Sequence, residues 1–191
     1  MKLKFPNLHI LNRGAKLGFA SAYLQGFKIA LNKNYDEIIQ MDADMSHRVR
    51  DLKKMIDVKG SITNADVVVG SRWTKGGSTE NWPFHRELLS RTANLYTEIM
   101  LGLRVSDCTG GFRIYSADTL RKINLGEIKS EGYSFQIEMT RAAKKAGAKI
   151  IEVPITFRER ESGVSKMSKA IVREAMTRVT VWGLKRFLHL K

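Results

Sequence analysis

The sequence predicts a single α/β domain in which a mostly parallel sheet is flanked by helices. Short apolar or β-branched runs alternate with longer segments of helical periodicity, and parallel strands need such crossover connections. The chain has 191 residues, of which 43% are hydrophobic, so one sizeable core is expected.

The first part of the chain supplies two strands and two helices of this pattern. Residues 8–11 have the character of a short strand, and residues 14–18 form a glycine-punctuated turn. Apolar residues at helical spacing, Tyr23 among them, predict a helix over residues 19–31. A strand at 37–40 and a helix over 46–56, which Ser46 can cap, come next.

The middle of the chain continues the alternation but contains one long irregular stretch. Residues 65–69 are a β-branched strand, whereas residues 73–86 lack periodicity and predict a long loop, potentially a lid. A helix is expected over residues 86–101, a turn with a strand over 107–115, a second helix over 135–146 and a closing strand over 150–155. The proline in this closing strand favours a sheet edge or a strand end.

A basic amphipathic helix is predicted over residues 168–191. Its apolar arc includes Trp182 and Phe187, basic residues occupy another arc, and Arg186 falls inside the apolar one. Such a helix can pack on its own domain or lie in a membrane interface. The pattern favours packing on the domain and leaves both interpretations open.

Composition limits the classes of partner. The formal net charge of +14 indicates a surface that attracts polyanions, such as anionic lipid or phosphorylated substrates. No nucleic-acid-binding signature is present, so nucleic acid is not expected as a partner. No membrane-spanning run or signal peptide is visible, which predicts a cytoplasmic protein. The single cysteine, Cys108, is expected to be a small buried hydrophobic residue.

Two carboxylates, Asp42 and Asp44, follow the predicted strand at residues 37–40. Ligands of open α/β sheets bind beyond the carboxyl ends of the strands, and oxygen ligands there suit Mg²⁺ or Mn²⁺ together with a diphosphate. An acidic surface turn has the same D-x-D sequence. The position at a strand end favours the metal site and suggests nucleotide-sugar chemistry.

Four segments converge if the strands are parallel. They are the two aspartates, residues 70–72, residues 107–113 and residues 158–166. The planar guanidinium of arginine matches phosphate oxygens, so several arginines near a metal-bound diphosphate suit a second phosphate as well. Each arginine taken singly is better explained as a solvated surface charge.

Together these segments resemble the polyprenol-phosphate (dolichol-phosphate) mannosyltransferases, a branch of the family-2 glycosyltransferases. The resemblance extends from about Leu11 to the C-terminal helix, and residues 77–94 are most similar to actinobacterial polyprenol monophosphomannose synthases. The motifs that carry it are M-D-A-D-x-S-H from Met41, G-S-R from Gly70, N-W-P from Asn81, V-P-I-T-F from Val153, R-E from Arg160 and G-V-S-K-M from Gly163.

The resemblance implies a GT-A (Rossmann-like) catalytic domain over residues 1–167, followed by the helix at 168–191. It implies transfer of mannose from GDP-mannose to polyprenyl phosphate by a protein that is peripheral at the inner face of the cell membrane. It is also compatible with a membrane-embedded partner protein. A related transferase that uses UDP-glucose or another nucleotide sugar, and an inactive remnant that binds lipid phosphate, are the alternatives.

The resemblance also implies roles for individual residues. Asp42 and Asp44 match the metal and diphosphate motif, and Ser46 stands where some relatives place a glutamine ligand, so it is expected to be a weak one. The family positions that hold the donor and acceptor phosphates correspond here to Arg72, Arg86, Ser90 and Arg160. The motif that contains Arg160 also contains Ser165 and Lys166. The residues expected to take part directly in catalysis are Asp42, Asp44, Arg72 and Arg160.

The implied reaction needs no general base, because a lipid phosphate is already anionic near neutral pH. It needs positive charge to position one anion beside another and to stabilise the leaving GDP. Direct attack inverts the anomeric centre and gives a β-mannosyl phosphate. His47 and His85 are accordingly expected to be ordinary polar residues.

One departure from the family concerns the start of the sequence. Relatives begin with a strand and turn of the form V-x-I-P-T-Y-N-E and a second strand that ends in aspartate, and both are missing here. The sequence is therefore expected to be truncated at its N-terminus, as a fragment, a misplaced start or a remnant. A sheet without these strands is expected to expose an edge and to have weak or no activity.

Overall fold

The computed structural model describes residues 5–15, 18–61, 64–159 and 169–188, and it confirms the predicted α/β class. The helices are α1 (Phe19–Asn32), α2 (Val49–Ser61), α3 (Phe84–Leu101), α4 (Ala117–Lys122), α5 (Gly132–Lys145) and α6 (Lys169–Phe187). The strands are β1 (Glu37–Gln40), β2 (Val67–Ser71), β3 (Ser78–Glu80), β4 (Arg113–Ser116), β5 (Ile150–Pro154) and β6 (Thr156–Arg158).

The main sheet has four strands in the order β1, β4, β2, β5. Strand β5 is parallel to β2, whereas β4 is antiparallel to both of its neighbours. Three strands therefore run in one direction, and the reversed β4 makes the sheet mixed. Because β4 is reversed, the loop that precedes it lies at the carboxyl ends of the other three strands.

The central strand β2 is buried on both faces. Val67 and Val69 belong to a hydrophobic cluster that includes Phe135 of α5. Val68 points to the opposite face and packs with Met55 of α2. This alternation places helices on both sides of the sheet and accounts for the continuous β-branched run in the sequence.

Several sequence predictions about individual elements need correction. Residues 8–11 are irregular rather than a strand, and the side chains of Ile10 and Leu11 are exposed. The predicted loop at 73–86 contains β3, which pairs in parallel with β6. The prediction for proline is confirmed, because Pro154 ends β5 at an edge of the main sheet.

The C-terminal helix α6 packs on the domain, against α3 and α5. Val179 is buried, and the hydroxyls of Tyr96 and Thr180 hydrogen-bond at 2.7 Å across the α3–α6 contact. A Cβ at Gly183 would lie only 2.5 Å from Met100 Cε, so glycine permits the close approach of the two helices. Arg186, which the sequence placed in the apolar arc, is exposed.

Apolar side chains are also exposed along α3 and at the end of α6. One face of α3 exposes Phe84, Leu88, Leu95 and Ile99, and Leu89 is exposed on the side that lines a cleft. On α6 they comprise Val181, Leu184 and Phe187. No helix within the described ranges is both long enough and apolar enough to cross a bilayer.

Candidate active site

The turn after β1 carries Asp42 and Asp44, both half-buried. Asp44 Oδ1 accepts hydrogen bonds from the backbone N–H of Ser46 at 3.2 Å and from its hydroxyl at 2.5 Å. Met45, between them, has a φ of 64°, which is uncommon for a residue with a side chain. The strained turn therefore fixes the second carboxylate with hydrogen bonds from its own backbone and hydroxyl.

The first carboxylate is held by helix α1. The hydroxyl of Tyr23 donates to Asp42 Oδ1 at 2.5 Å. Burial, and then the negative charge of Asp42, raise the pKa of Tyr23 well above its usual value, so the phenol stays protonated and remains a donor. Its ring stacks on Phe135 at 6.1 Å between centroids and meets Phe19 edge-on at 4.9 Å.

Tyr23 was assigned to the apolar face of a helix by its spacing, and its contact with Asp42 was missed. The packing of its ring confirms the spacing argument. The only signal for its second role is that the side chain carries a hydroxyl at an inward-facing position.

His47 is more than the ordinary polar residue that the sequence suggested. Its Nδ1 accepts the backbone N–H of Asp42 at 3.2 Å, and its ring stacks on Phe112 at 4.6 Å. Burial lowers the pKa of His47, although the nearby charges of Asp42 and Asp44 oppose this shift. A neutral imidazole therefore supports the turn that carries both aspartates.

A buried ion pair anchors the loop before β4. Arg72 donates from Nε to Asp107 Oδ2 and from Nη2 to Asp107 Oδ1, both at 2.7 Å, and Nη2 also reaches Thr109 Oγ1 at 2.8 Å. Burial opposes ionisation of Asp107, but the Arg72 guanidinium outweighs it and lowers the pKa of the carboxyl. The backbone N–H of Asp107 is in turn bound by Glu152 at 3.0 Å.

Arg113 fastens the same loop to α5. Its guanidinium is fully buried and donates to the carbonyls of Cys108, Gly110 and Gln136, and to the Thr140 hydroxyl, at 2.9 to 3.1 Å. Cys108 is buried, as expected, and burial raises the pKa of its thiol to about 12. The loop that precedes β4 is thus fixed from both sides.

An open cleft lies between α3, α5 and α6. Its polar lining includes Arg72, Arg86, Ser90 and Thr109, and its apolar lining includes Leu89, Ala93, Ile137, Val172, Met176 and Val179. Clefts with apolar walls and a few polar groups are typical ligand sites. The cleft therefore suits a ligand with one charged end and an apolar remainder.

Aromatic rings and carboxylates surround the arginines of this cleft. The Arg86 guanidinium lies 4.0 Å from the Trp82 ring centroid and pairs with Glu159. Arg72 lies 5.2 Å from Trp73 and 5.4 Å from Trp82. Both guanidinium groups are thereby oriented before any ligand arrives.

The structure brings the predicted site residues together in two adjacent groups. Asp42, Asp44 and Ser46 lie at the end of β1. Arg72, Arg86 and Ser90 line the cleft. Arg160, Ser165 and Lys166 fall outside the described residues.

The loop before β4 links the two groups. Thr109 lines the cleft, whereas the position of a Cβ on Gly111 lies 3.8 Å from Asp42 Oδ2. Two residues span at most about 7 Å, so the carboxylates and the cleft are neighbours.

The donor set at the end of β1 fits a divalent cation that is shared with a substrate. Within the described ranges no cluster of three or more His, Cys, Asp or Glu side chains could hold a metal ion by itself. Mg²⁺ usually takes one or two carboxylates and completes its shell with phosphate oxygens and water. Asp42 and Asp44 are the two carboxylates that would supply such a site. The Ser46 hydroxyl bonds to Asp44, and its role as a weak ligand stays a prediction.

Comparison with known families decides the class of protein. Residues 1–123 match the model of glycosyl transferase family 2. The chain belongs to this family. Its members are enzymes, and the GT-A fold that the sequence predicted is confirmed.

Two curated family-2 proteins match most of the chain. An undecaprenyl-phosphate mannosyltransferase of Micrococcus luteus is 48% identical over 179 residues, which cover 94% of this chain and 72% of that protein. A polyprenol monophosphomannose synthase of Mycolicibacterium smegmatis is 44% identical over 93% of this chain and 66% of its own length. The resemblance recognised from the sequence is confirmed.

Solved structures support the fold. Glucosyl-3-phosphoglycerate synthase of Mycobacterium tuberculosis, in complex with phosphoglyceric acid, has a TM-score of 0.59 at 13% identity, over 95% of this chain and 59% of that one. The same enzyme with Mn²⁺, UDP-glucose and glycerol 3-phosphate has a TM-score of 0.55 at 14% identity, over 100% of this chain and 60% of that one.

Proposed function

We propose that this protein transfers mannose from GDP-mannose to a polyprenyl phosphate and inverts the anomeric carbon. The observation that carries the proposal is the adjacency of two unlike half-sites. A pair of oriented carboxylates at the end of β1 adjoins a cleft with arginines at its polar end and apolar walls. The names of the two curated relatives support transfer of mannose to a polyprenyl phosphate.

The carboxylate half-site is proposed to hold the donor. Asp42 and Asp44 would bind Mg²⁺ or Mn²⁺ together with the diphosphate, with Tyr23 and Ser46 orienting them. When bound, the cation neutralises the charge that develops on the departing nucleoside diphosphate. Retention of two oriented carboxylates favours an active transferase over an inactive remnant.

The cleft is proposed to hold the acceptor. Arg72, Arg86 and Ser90 would bind the lipid phosphate, and Arg160, Ser165 and Lys166 are proposed to contribute from the motif that follows β6. The apolar walls between α3 and α6 would take the first isoprenoid units. This end-to-end arrangement matches the chemistry of a polyprenyl phosphate, which has one anionic end and a hydrocarbon chain.

The proposed reaction is a direct displacement. An oxygen of the lipid phosphate attacks the anomeric carbon, the bond from that carbon to the diphosphate breaks, and the nucleoside diphosphate leaves with the electron pair. No proton has to be removed from the nucleophile, so the neutral, buried His47 has no part as a base. The arginines bring the two anions together by reducing their repulsion.

Peripheral association with the membrane is part of the proposal. The exposed apolar stripe of α3, formed by Phe84, Leu88, Leu95 and Ile99, lies on a helix that also lines the cleft. The net charge of +14 favours anionic lipid surfaces. A polyprenyl phosphate could then reach the cleft without leaving the bilayer completely, and a membrane-embedded partner protein could cover the same stripe.

A transfer assay with crossed substrates tests the proposal. Labelled GDP-mannose and UDP-glucose would be offered with Mn²⁺ to the purified protein, each with a short polyprenyl phosphate or with the unphosphorylated polyprenol. Any mannosyl lipid that forms should require both GDP-mannose and the phosphorylated acceptor, and none should form after EDTA treatment. Transfer from UDP-glucose would identify the alternative donor, and lipid-phosphate binding without transfer from either donor would identify a remnant.

A further inference from the structure

A small polar hollow lies beside Asp42, where Gly111 has no side chain. The position that a Cβ would take on Gly111 is 3.5 Å from Gln136 Nε2, 3.7 Å from Gln40 Nε2 and 3.8 Å from Asp42 Oδ2. Two carboxamides and one carboxylate thus converge on one point. All of these contacts are at ordinary van der Waals distance, so the hollow could hold an additional small group.

The two carboxamides have unsatisfied hydrogen-bonding capacity. Gln40 and Gln136 are 1% and 2% exposed. Within the described ranges none of their side-chain nitrogen or oxygen atoms makes a hydrogen bond of good geometry, and the remaining polar interaction of Gln40 is with the Tyr23 hydroxyl. Buried polar groups almost always find a partner, because an unsatisfied group has lost the hydrogen bonds that it would make to water. Two such groups around one hollow therefore point to a ligand that completes their hydrogen bonds.

Asn94 shows how a structural carboxamide is satisfied in the same region. Its Nδ2 donates to Ser90 O at 2.9 Å and to Thr109 Oγ1 at 3.1 Å, and its Oδ1 accepts the Cys108 N–H at 2.8 Å. Asn94 uses both ends of its amide to fix the loop before β4. The glutamines beside Gly111 make no comparable contacts within the described ranges.

The backbone does not require glycine at position 111. Gly111 is absent from the residues with positive φ, so its conformation is open to residues with side chains. The consequence of glycine here is the empty volume between Gln136, Gln40 and Asp42. A larger side chain would fill that volume and cover the two carboxamides.

The position of the hollow identifies the ligand. It adjoins the carboxylate that is proposed to hold the donor diphosphate, and it lies two residues from Thr109 of the acceptor cleft. The sugar of a nucleotide sugar follows directly on its diphosphate and has to meet the acceptor. A carboxamide both donates and accepts hydrogen bonds, as does a sugar hydroxyl.

We propose that the hollow at Gly111 receives hydroxyl groups of the donor hexose, and that Gln40 and Gln136 determine which hexose is accepted. The inference rests on the proposed function and specifies how its donor site discriminates. Because the two glutamines come from β1 and α5, the sugar hydroxyls have to match hydrogen-bonding groups that two rigid elements hold in place. An ordered water bound by both carboxamides is the competing occupant.

Binding of GDP-mannose and of GDP, each with Mn²⁺, separates sugar contacts from nucleotide contacts. Calorimetric titration would compare the unaltered protein with Gly111→Ala, which fills the hollow, and Gln136→Leu, which removes one carboxamide at similar volume. Gly60→Ala is the matched control, because a Cβ there has no heavy atom within 4 Å. Circular dichroism melts would confirm that the variants are folded.

We expect both hollow variants to bind GDP-mannose about 10-fold more weakly, the size of one or two lost hydrogen bonds, with GDP binding changed less than about 2-fold. Unchanged GDP-mannose binding would assign the hollow to water and overturn the inference. Equal losses for GDP and GDP-mannose would assign it to the diphosphate and also overturn it. If the unaltered protein bound neither nucleotide, the proposed function would fail and this inference with it.

Discussion

The carboxylates at the end of β1 and the arginines of the cleft are held by different kinds of partner. Asp42 and Asp44 accept hydrogen bonds from uncharged donors, the hydroxyls of Tyr23 and Ser46. Arg72 and Arg86 instead pair with the carboxylates of Asp107 and Glu159. The Tyr23 hydroxyl orients Asp42 without cancelling its charge, whereas the carboxylates of Asp107 and Glu159 orient the two guanidinium groups and offset their charge.

This difference separates what each region can bind. A carboxylate oriented by hydroxyls keeps its attraction for a divalent cation. A guanidinium that already faces a carboxylate offers an incoming phosphate less net attraction, so the acceptor also depends on the apolar walls of the cleft. The donor half-site is thus expected to respond steeply to loss of charge, and the acceptor half-site to respond to changes in packing as well.

The largest effect is expected at the donor half-site. Asp44→Asn removes a negative charge but preserves the shape of the side chain, and transfer should fall by about 100-fold or more because the cation loses a ligand. Initial rates with saturating Mn²⁺ would measure the loss. Asp57→Asn, an exposed acid on α2 paired only with Lys53 within the described ranges, is the control and should match the unaltered protein. Comparable rates for both variants would remove the metal assignment.

At the cleft, the corresponding change should act on stability. Asp107→Asn leaves the Arg72 guanidinium buried without its carboxylate, which costs about 3–5 kcal/mol. Urea unfolding monitored by fluorescence would measure this loss. Asp118→Asn, which breaks an exposed pair with Arg121, should change the free energy of unfolding by less than about 1 kcal/mol.

The same pair makes a prediction about pH. Arg72 lowers the pKa of Asp107 in the folded state, so its contribution to stability is present above the unfolded-state pKa near 4 and is lost as the pH falls below it. The unaltered protein should therefore lose more stability than Asp107→Asn when the pH is lowered from 5 to 3. Parallel stability curves for the two proteins would show that the pair is not ionised as described.

A smaller effect is expected from the residue that orients the first carboxylate. Tyr23→Phe keeps the ring that packs on Phe135 and removes only the hydroxyl that binds Asp42. Loss of such an outer hydrogen bond typically weakens metal binding by about 10-fold, with little effect on stability. Mn²⁺ titration in the presence of GDP would detect it, with the exposed Tyr35→Phe as control. Equal Mn²⁺ affinity in both variants would reduce Tyr23 to a packing residue.

The sequence predicted the components of the site better than their arrangement. Asp42 and Asp44 could be recognised because a strand pattern ends just before them. The reversal of β4 could not be predicted, since a short buried strand has the same composition in either direction. The loop at residues 107–113 reaches the site because β4 is reversed, and the sequence placed it there by assuming parallel strands.

Long-range partners were also invisible in the sequence. Tyr23 and Asp42 are 19 positions apart, and Arg72 and Asp107 are 35 positions apart. Helical periodicity identified Tyr23 as inward-facing but carries no information about the polar group that its hydroxyl meets. In the same way, the glutamines beside Gly111 resembled ordinary strand and helix residues, and only their unsatisfied amides distinguish them.

Substrate binding to two variants tests most directly whether the two regions hold different substrates. Asp44→Asn and Arg86→Gln would each be titrated with GDP in the presence of Mn²⁺ and, separately, with a short polyprenyl phosphate. Arg91→Gln is the control, because Arg91 also lies over a tryptophan ring and pairs with a glutamate but does not line the cleft. We predict a crossed pattern, in which Asp44→Asn loses only GDP binding and Arg86→Gln weakens only lipid-phosphate binding, by about 10-fold. Loss of the same ligand in both variants would contradict the division of the site into a donor half and an acceptor half.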